Sequence, residues 1–171
     1  MRCLTPFGLG LTTIAVIAIA GCDTVTTTQY QAIAITRYTW LVDYYDQNRS
    51  SDRPPRIEAF ASTELTNENG QQPPDAVTGP DDRGLWWPAL PPRPTVDELE
   101  ARQRPQETIG TPRLNKSVEY FVTFRNPGEP NRTLPTRYEI YRQVVRSYEQ
   151  RQPLQFVLGI NNGSVENVVP Q

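Results

Sequence analysis

The stretch Ala32-Ile-Ala-Ile-Thr-Arg-Tyr-Thr-Trp-Leu-Val-Asp-Tyr-Tyr45 decides how this chain folds. Its even positions (Ala32, Ala34, Tyr38, Trp40, Val42, Tyr44) are apolar apart from Thr36, while the odd ones include Arg37, Thr39 and Asp43. Side chains alternate across a strand with a period of two, so this pattern, rich in Thr, Tyr, Trp and Val, favours a strand with one buried face. A helix is the rival, because Ile33, Arg37/Tyr38, Leu41 and Tyr45 also fall on one helical stripe. The strand reading makes Asn48–Pro55 a turn and Arg56–Ser62 a hairpin partner.

The C-terminal third carries the next clearest signals. Ser117–Arg125 alternates Val118, Tyr120, Val122 and Phe124 against Glu119, Thr123 and Arg125, a strand pattern interrupted only by Phe121, and Asn126-Pro-Gly-Glu-Pro130 is a turn. Residues 136–150 then switch period. At 100° per residue, Tyr138, Ile140, Tyr141, Val144, Val145 and Tyr148 share one half of a helix, with Arg142, Gln143, Arg146, Glu149 and Gln150 on the other. Thr136 and Glu139 have capping-box spacing at its start, and Pro153 ends it. Leu154–Ile160 and Ser164–Val169 read as a hairpin around Asn161-Asn162-Gly163, with Asn162-Gly163 as the central pair of a type I′ turn.

Between these regions, residues 63–113 hold nine prolines and no lasting periodicity. Within them, Gly84-Leu-Trp-Trp-Pro-Ala-Leu-Pro-Pro-Arg-Pro94 has the composition of polyproline II, since each ring fixes φ and restricts the preceding residue. Trp86 and Trp87 admit two readings: a recognition surface for a partner, or an apolar staple pinning a long loop. The staple is favoured, because two indoles bury a few hundred Å², worth several kcal/mol, and long loops need such anchors. Thr95–Gln103 reads as a short helix, with Thr95 and Glu98 as a capping box and Pro105 beyond it.

The first 22 residues concern place rather than fold. Arg2 is followed by an apolar run, Phe7–Ala20, and then by Ile19-Ala20-Gly21-Cys22 as the closing tetrad. The run is 14 residues long and is softened by Gly8, Gly10, Thr12 and Thr13, whereas a membrane-spanning helix takes about 20 apolar residues. The pattern resembles the lipobox signal peptide of bacterial lipoproteins. That resemblance covers residues 1–22 only. It implies cleavage between Gly21 and Cys22 and a diacylglycerol (with further acylation such as palmitate) on the Cys22 thiol. It also implies a protein anchored to the bacterial cell membrane, facing outside the cytoplasm. Asp23 resembles the signal that retains such proteins at the inner membrane. Residues 22–29 would then be a polar tether.

Composition narrows the chemistry. The chain has 171 residues and no His, which removes the commonest general base, the Ser-His-Asp triad and most zinc sites. Its two cysteines are Cys3, in the signal, and Cys22, so the mature domain has neither a thiol nor a disulfide to rely on. Net charge is −2, with Lys116 the lone lysine among 17 basic residues, and no basic face points to nucleic acid. Gly-rich phosphate loops, Cys/His metal clusters and serine-nucleophile motifs are not seen. Asp81-Asp82 suggests a cation site or half of a glycosidase pair, but without further oxygen ligands at regular spacing it reads as a solvated turn. Arg142 and Arg146, one turn apart, offer either a solvated face or a contact for anionic headgroups or an acidic partner.

These observations predict a single α+β domain over residues 30–171: a small antiparallel sheet with the 136–150 helix packed on one face and a long Pro-rich loop. The function expected is a membrane-anchored envelope lipoprotein, non-enzymatic, binding or assisting another envelope protein, with no cofactor, metal or nucleic acid. The possible interaction surface is Trp86, Trp87, Arg142 and Arg146. Two other classes stay open: a carboxylate-dependent cell-wall hydrolase, and a small-ligand carrier with a pocket lined by Trp40, Trp86 or Trp87.

Overall fold

The computed structural model describes residues 23–47, 54–126 and 128–171; the predicted signal peptide, Gly21, Cys22 and most of the 48–55 turn lie outside them. The deciding stretch is a strand, β2, of 17 residues (Tyr30–Asp46), bordered by β1 (Thr24–Thr27) and β3 (Arg56–Glu68). Later strands are β4 (Glu107–Ile109), β5 (Arg113–Phe124), β6 (Arg132–Thr136), β7 (Leu154–Leu158) and β8 (Val165–Pro170). Two helices complete the fold: α1 (Val96–Arg102) and α2 (Tyr138–Tyr148).

The strands form two antiparallel sheets. The larger runs β3-β2-β5-β6, with β4 continuing the β5 edge of β2, and the smaller runs β1-β7-β8. The fold is therefore mainly β, and the expected α+β arrangement with one small sheet is corrected in that respect. The expected helix on a sheet face is nonetheless present. Within the segment expected as a polar tether, Thr24–Thr27 pair with Val157–Leu154 as an edge strand. The Pro-rich segment begins later than residue 63, because β3 pairs with β2 as far as Glu68↔Ile33. Phe121, which breaks the alternation of β5, pairs with Ile33 of β2 on one side and Pro135 of β6 on the other. The proline sits in an edge strand, where a missing N–H is tolerated.

One face of β2 is buried along nearly its whole length, and two different covers lie on it. Tyr30, Ala32 and Ala34 share a core with Val122 and Phe124 of β5 and with Ile140, Tyr141 and Val144 of α2. Leu154, Phe156 and Leu158 of β7 and Val165 and Val168 of β8 complete it. The Phe124 and Phe156 rings stack at 5.2 Å, and Tyr30 meets Phe156 edge-on at 5.9 Å. The Tyr30 hydroxyl lies 2.7 Å from the Gln152 carbonyl and 3.0 Å from that of Ser147. It thus answers one carbonyl in the last turn of α2 and one just beyond it.

Beyond Thr36 the cover is the Pro-rich segment. Leu85, Trp87, Pro88, Pro91 and Pro94 are buried, whereas residues 89–90 and 92–93 are exposed. Burial every third residue is the signature of a polyproline II strip packed by one edge. Its PxxP edge faces the sheet. Trp87 stacks on Tyr38 at 5.0 Å, and the lone lysine, Lys116, places its ammonium 5.0 Å and 5.4 Å from the Trp87 and Tyr38 ring centres. Tyr44 donates to the Leu99 carbonyl (2.9 Å), tying down α1.

Two caps depart from expectation in instructive ways. The Thr95–Glu98 capping box of α1 is present in both directions. At α2 the N-cap is Arg137, and the Thr136 hydroxyl instead donates 2.9 Å to the Val165 carbonyl, joining the two sheets. The β7–β8 turn is one residue upstream of the predicted pair: Asn161 (φ 54°) and Asn162 (φ 56°) take the left-handed conformation, and Gly163 does not.

Candidate functional site

The Pro-rich segment meets α2 at an open cleft of about 400 Å³, lined by Gly70, Asp81, Asp82, Arg83 and Gly84 from the loop and by Tyr141, Arg142, Val145 and Arg146 from the helix. The i, i+4 spacing sets Arg142 and Arg146 on one side of α2. Three arginines thus converge from two elements distant in sequence.

The loop wall is rigid for reasons visible in its bonding. One Asp81 oxygen accepts from the Arg83 and Leu85 amides (3.0 and 2.9 Å), and the other accepts from the Trp87 indole at 2.8 Å. Asp81 is consequently occupied by the loop itself; with Asp82 it sets two carboxylates against three arginines, leaving one positive charge in excess in the cleft. Behind it, the fully buried Asn67 amide binds both backbone groups of Trp86. It accepts from the Trp86 N–H at 2.7 Å and donates to the Trp86 carbonyl at 3.1 Å. The Thr36 hydroxyl, also fully buried, donates to the same carbonyl at 2.8 Å. At the cleft floor Gly70 has φ +72°, and a Cβ there would meet the Val145 methyl at 2.9 Å. Only glycine allows the loop to approach α2 so closely.

Tyr141 is the chemically distinctive member. It is 2% exposed, and its buried hydroxyl, like that of Tyr120, makes no hydrogen bond of good geometry, with the Gly70 backbone near the first and the Arg83 guanidinium near the second. Burial, reinforced by the neighbouring Tyr120 and Tyr138 phenols, pushes the Tyr141 pKa up to about 12. The phenol is therefore neutral at pH 7. Arg142 donates to the Tyr138 hydroxyl at 3.0 Å, and the Arg83 guanidinium lies 5.4 Å from the Tyr138 ring centre. Arg83, Arg142 and Arg146 are exposed. The arrangement offers exposed, permanently charged donors, which suits an anionic group such as a carboxylate or phosphate.

The residues named from sequence divide accordingly. Arg142 and Arg146 meet in the cleft, together with Asp81 and Asp82. Trp87 is 7% exposed and its indole is bound to Asp81, so of the tryptophan pair only Trp86, half-buried, retains a free edge on the surface. Trp40 donates 3.0 Å to the Pro91 carbonyl. Two further clefts, of about 570 and 340 Å³, lie around Thr28, Gln29 and Arg125, and none of the three is lined by tryptophan. Carboxylates do meet at Glu58 and Glu107, but across Arg56, which hydrogen-bonds to both. The Arg56 guanidinium holds Glu107 at a pKa of about 2, so it is ionised at neutral pH and poorly suited to act as a general acid there. Among the described residues no group of three or more His, Cys, Asp or Glu side chains is placed to hold a metal ion. Cys22 and Gly21 fall outside the described residues.

Sequence reasoning missed Arg83, Tyr141 and Gly70 as one site. Asn67-Glu-Asn-Gly70 has the composition of a tight turn, a signal that a loop reverses there, but nothing local indicates that it does so against α2. No protein-family model matches this chain, and no match was found among curated proteins or solved structures.

Proposed function

We propose that this protein is a lipid-anchored, non-enzymatic envelope module that binds an acidic group of another envelope component in the cleft between the Pro-rich loop and α2. The observation that carries the reading is the meeting of Arg83, Arg142 and Arg146 in one cleft that Tyr141 also lines. Arginine forks pair with carboxylate or phosphate in two parallel bonds, and a preformed pocket lowers the ordering cost of forming them. Acylated Cys22 would hold the domain outside the cytoplasm, with Asp23 favouring the inner membrane. Anchoring raises the local concentration of a partner in the same membrane, so a modest intrinsic affinity suffices.

The test is affinity capture of the acylated protein from its own membranes, beside an Arg142→Glu/Arg146→Glu double variant. A component held by the native protein should be depleted at least about tenfold by the charge reversal, equivalent to about 1.4 kcal/mol. Recovery of the same component by both proteins, or of the protein alone, removes the cleft from consideration. The Cys22→Ser protein should lack the acyl mass and leave the membrane fraction.

A further inference from the structure

We infer that the β7–β8 tip is a second membrane contact, in which Ile160 enters the boundary between lipid headgroups and acyl chains and fixes the domain's orientation. The inference rests on the lipid-anchor reading of Cys22 and adds to it a surface on the folded domain. Ile160 is 90% exposed, against 66% for Val96 and 63% for Val77. A lone exposed apolar residue ordinarily means little. Its position is what matters here.

Asp23, which directly follows the predicted acylation site, is tied to this tip. The Asp23 carbonyl accepts from the Leu158 amide at 2.9 Å, and its carboxylate accepts from the Asn162 side-chain amide at 2.7 Å. Both ends of the tip are thereby bonded to the residue that directly follows Cys22. Consecutive Cα atoms are about 3.8 Å apart, and two residues span at most about 7 Å. Ile160 stands two residues from Leu158 and two from Asn162, so it lies within roughly 10 Å of Asp23. Each headgroup layer of a bilayer is only about 5–8 Å deep, and amphipathic surfaces sink about 5–10 Å into the boundary. Since Asp23 is the next residue in the chain, an acylated Cys22 would bring this tip to the surface of the bilayer.

The tip is also held in shape. Asn161 and Asn162 both have positive φ, and Gly163 donates back to the Ile160 carbonyl at 3.1 Å. A Cβ at Gly159 would lie 2.4 Å from the Ser164 hydroxyl, so the strand ends close together there. Arg132 donates 3.2 Å to the Asn162 carbonyl, placing a guanidinium beside the tip where headgroup phosphates would lie. Of the two carboxylates here, Asp23 accepts from the Asn162 amide and Glu166 is paired with Arg137 at 3.7 Å. An exposed Ile on a braced turn, beside an anchor and an arginine, has the chemistry of a lipid surface contact.

The experiment uses the full chain, acylated in a bacterial host and reconstituted into phosphatidylethanolamine–phosphatidylglycerol vesicles. A polarity-sensitive fluorophore is attached through Ile160→Cys or, as the remote control, through Val96→Cys on α1. The acylated Cys22 thiol does not react, so each protein carries one label. The label at 160 should shift to the blue and be quenched several-fold by brominated acyl chains, with the label at 96 unaffected. Equal responses at both sites, or none at either, in protein whose intact mass includes the acyl chains would overturn the second contact and leave the anchor standing. A mass without acyl chains would overturn both.

Discussion

The two halves of β2 carry the same alternating pattern yet are covered in opposite ways. Over Tyr30, Ala32 and Ala34 lie α2 and the small sheet, whose backbones satisfy their own hydrogen bonds and present apolar side chains. Over Thr36 to Tyr44 lies a polyproline II strip, which has no internal hydrogen bonds. Trp87 pairs with Val77 and Thr78 of the same segment, and other carbonyls and amides are answered by the sheet beneath. That is where polar side chains stand: Thr36 and Asn67 on Trp86, Trp40 on Pro91 and Thr63 on Ala89. A regular cover asks its sheet for volume; an irregular one asks for hydrogen bonds. The candidate cleft opens where the two covers meet.

The sharpest way to break this comparison is to remove the largest apolar contact on the regular side. Phe156→Ala, at a fully buried site stacked on Phe124, should lower unfolding free energy by about 3–5 kcal/mol in a denaturant titration. On the irregular side, Asn67→Ala should cost about 1–3 kcal/mol, because it leaves the Trp86 N–H without its partner and the Trp86 carbonyl with Thr36 alone. Its distinctive mark is local: amide exchange at Trp86 and Trp87 should accelerate while that of α2 holds. Uniform acceleration would mean that the covers are not separate units.

A pH titration sharpens the contrast further. Glu107 joins β4 to β3 through Arg56, whose guanidinium holds its pKa at about 2 against an ordinary 4.5. A depressed carboxyl stabilises the fold fully above its unfolded value and loses that contribution as pH falls from 4.5 toward 2. Acid should therefore loosen the β3–β4–α1 end first, and Glu107→Gln should flatten the pH dependence of the urea midpoint over that range. The smallest effect is expected at Thr95→Ala, which removes the cap of a helix with no buried residue; about 1 kcal/mol, read as a slight loss of helical circular dichroism, is the expected scale.

Legibility followed the same division. The inward face of β2, the amphipathic α2, the Thr95 cap and the terminal hairpin could be read from residue spacing, since periodic burial leaves a periodic sequence. The edges could not. Thr24–Thr27 looks like a polar tether because a short edge strand buries only Val25 and Thr27. Arg132–Thr136 holds a proline, a residue that argues against a strand unless its edge position is known. The last part of β3 reads as loop because Asn67 points inward, where a hydrophobic residue would be expected. Thr136 has the spacing of a cap, but the Val165 carbonyl is the partner it meets.

For the candidate site, the sequence determined which charges exist and that Arg142 and Arg146 share a helix side. The tertiary structure decided that Arg83, Gly70 and Tyr141 join them, and that Trp87 turns inward. Periodicity is a local property, set by which face of a strand or helix meets the core. A cleft between a helix and a loop more than fifty residues upstream is set by long-range hydrogen bonds, from Asn67 and Asp81, that no local spacing encodes.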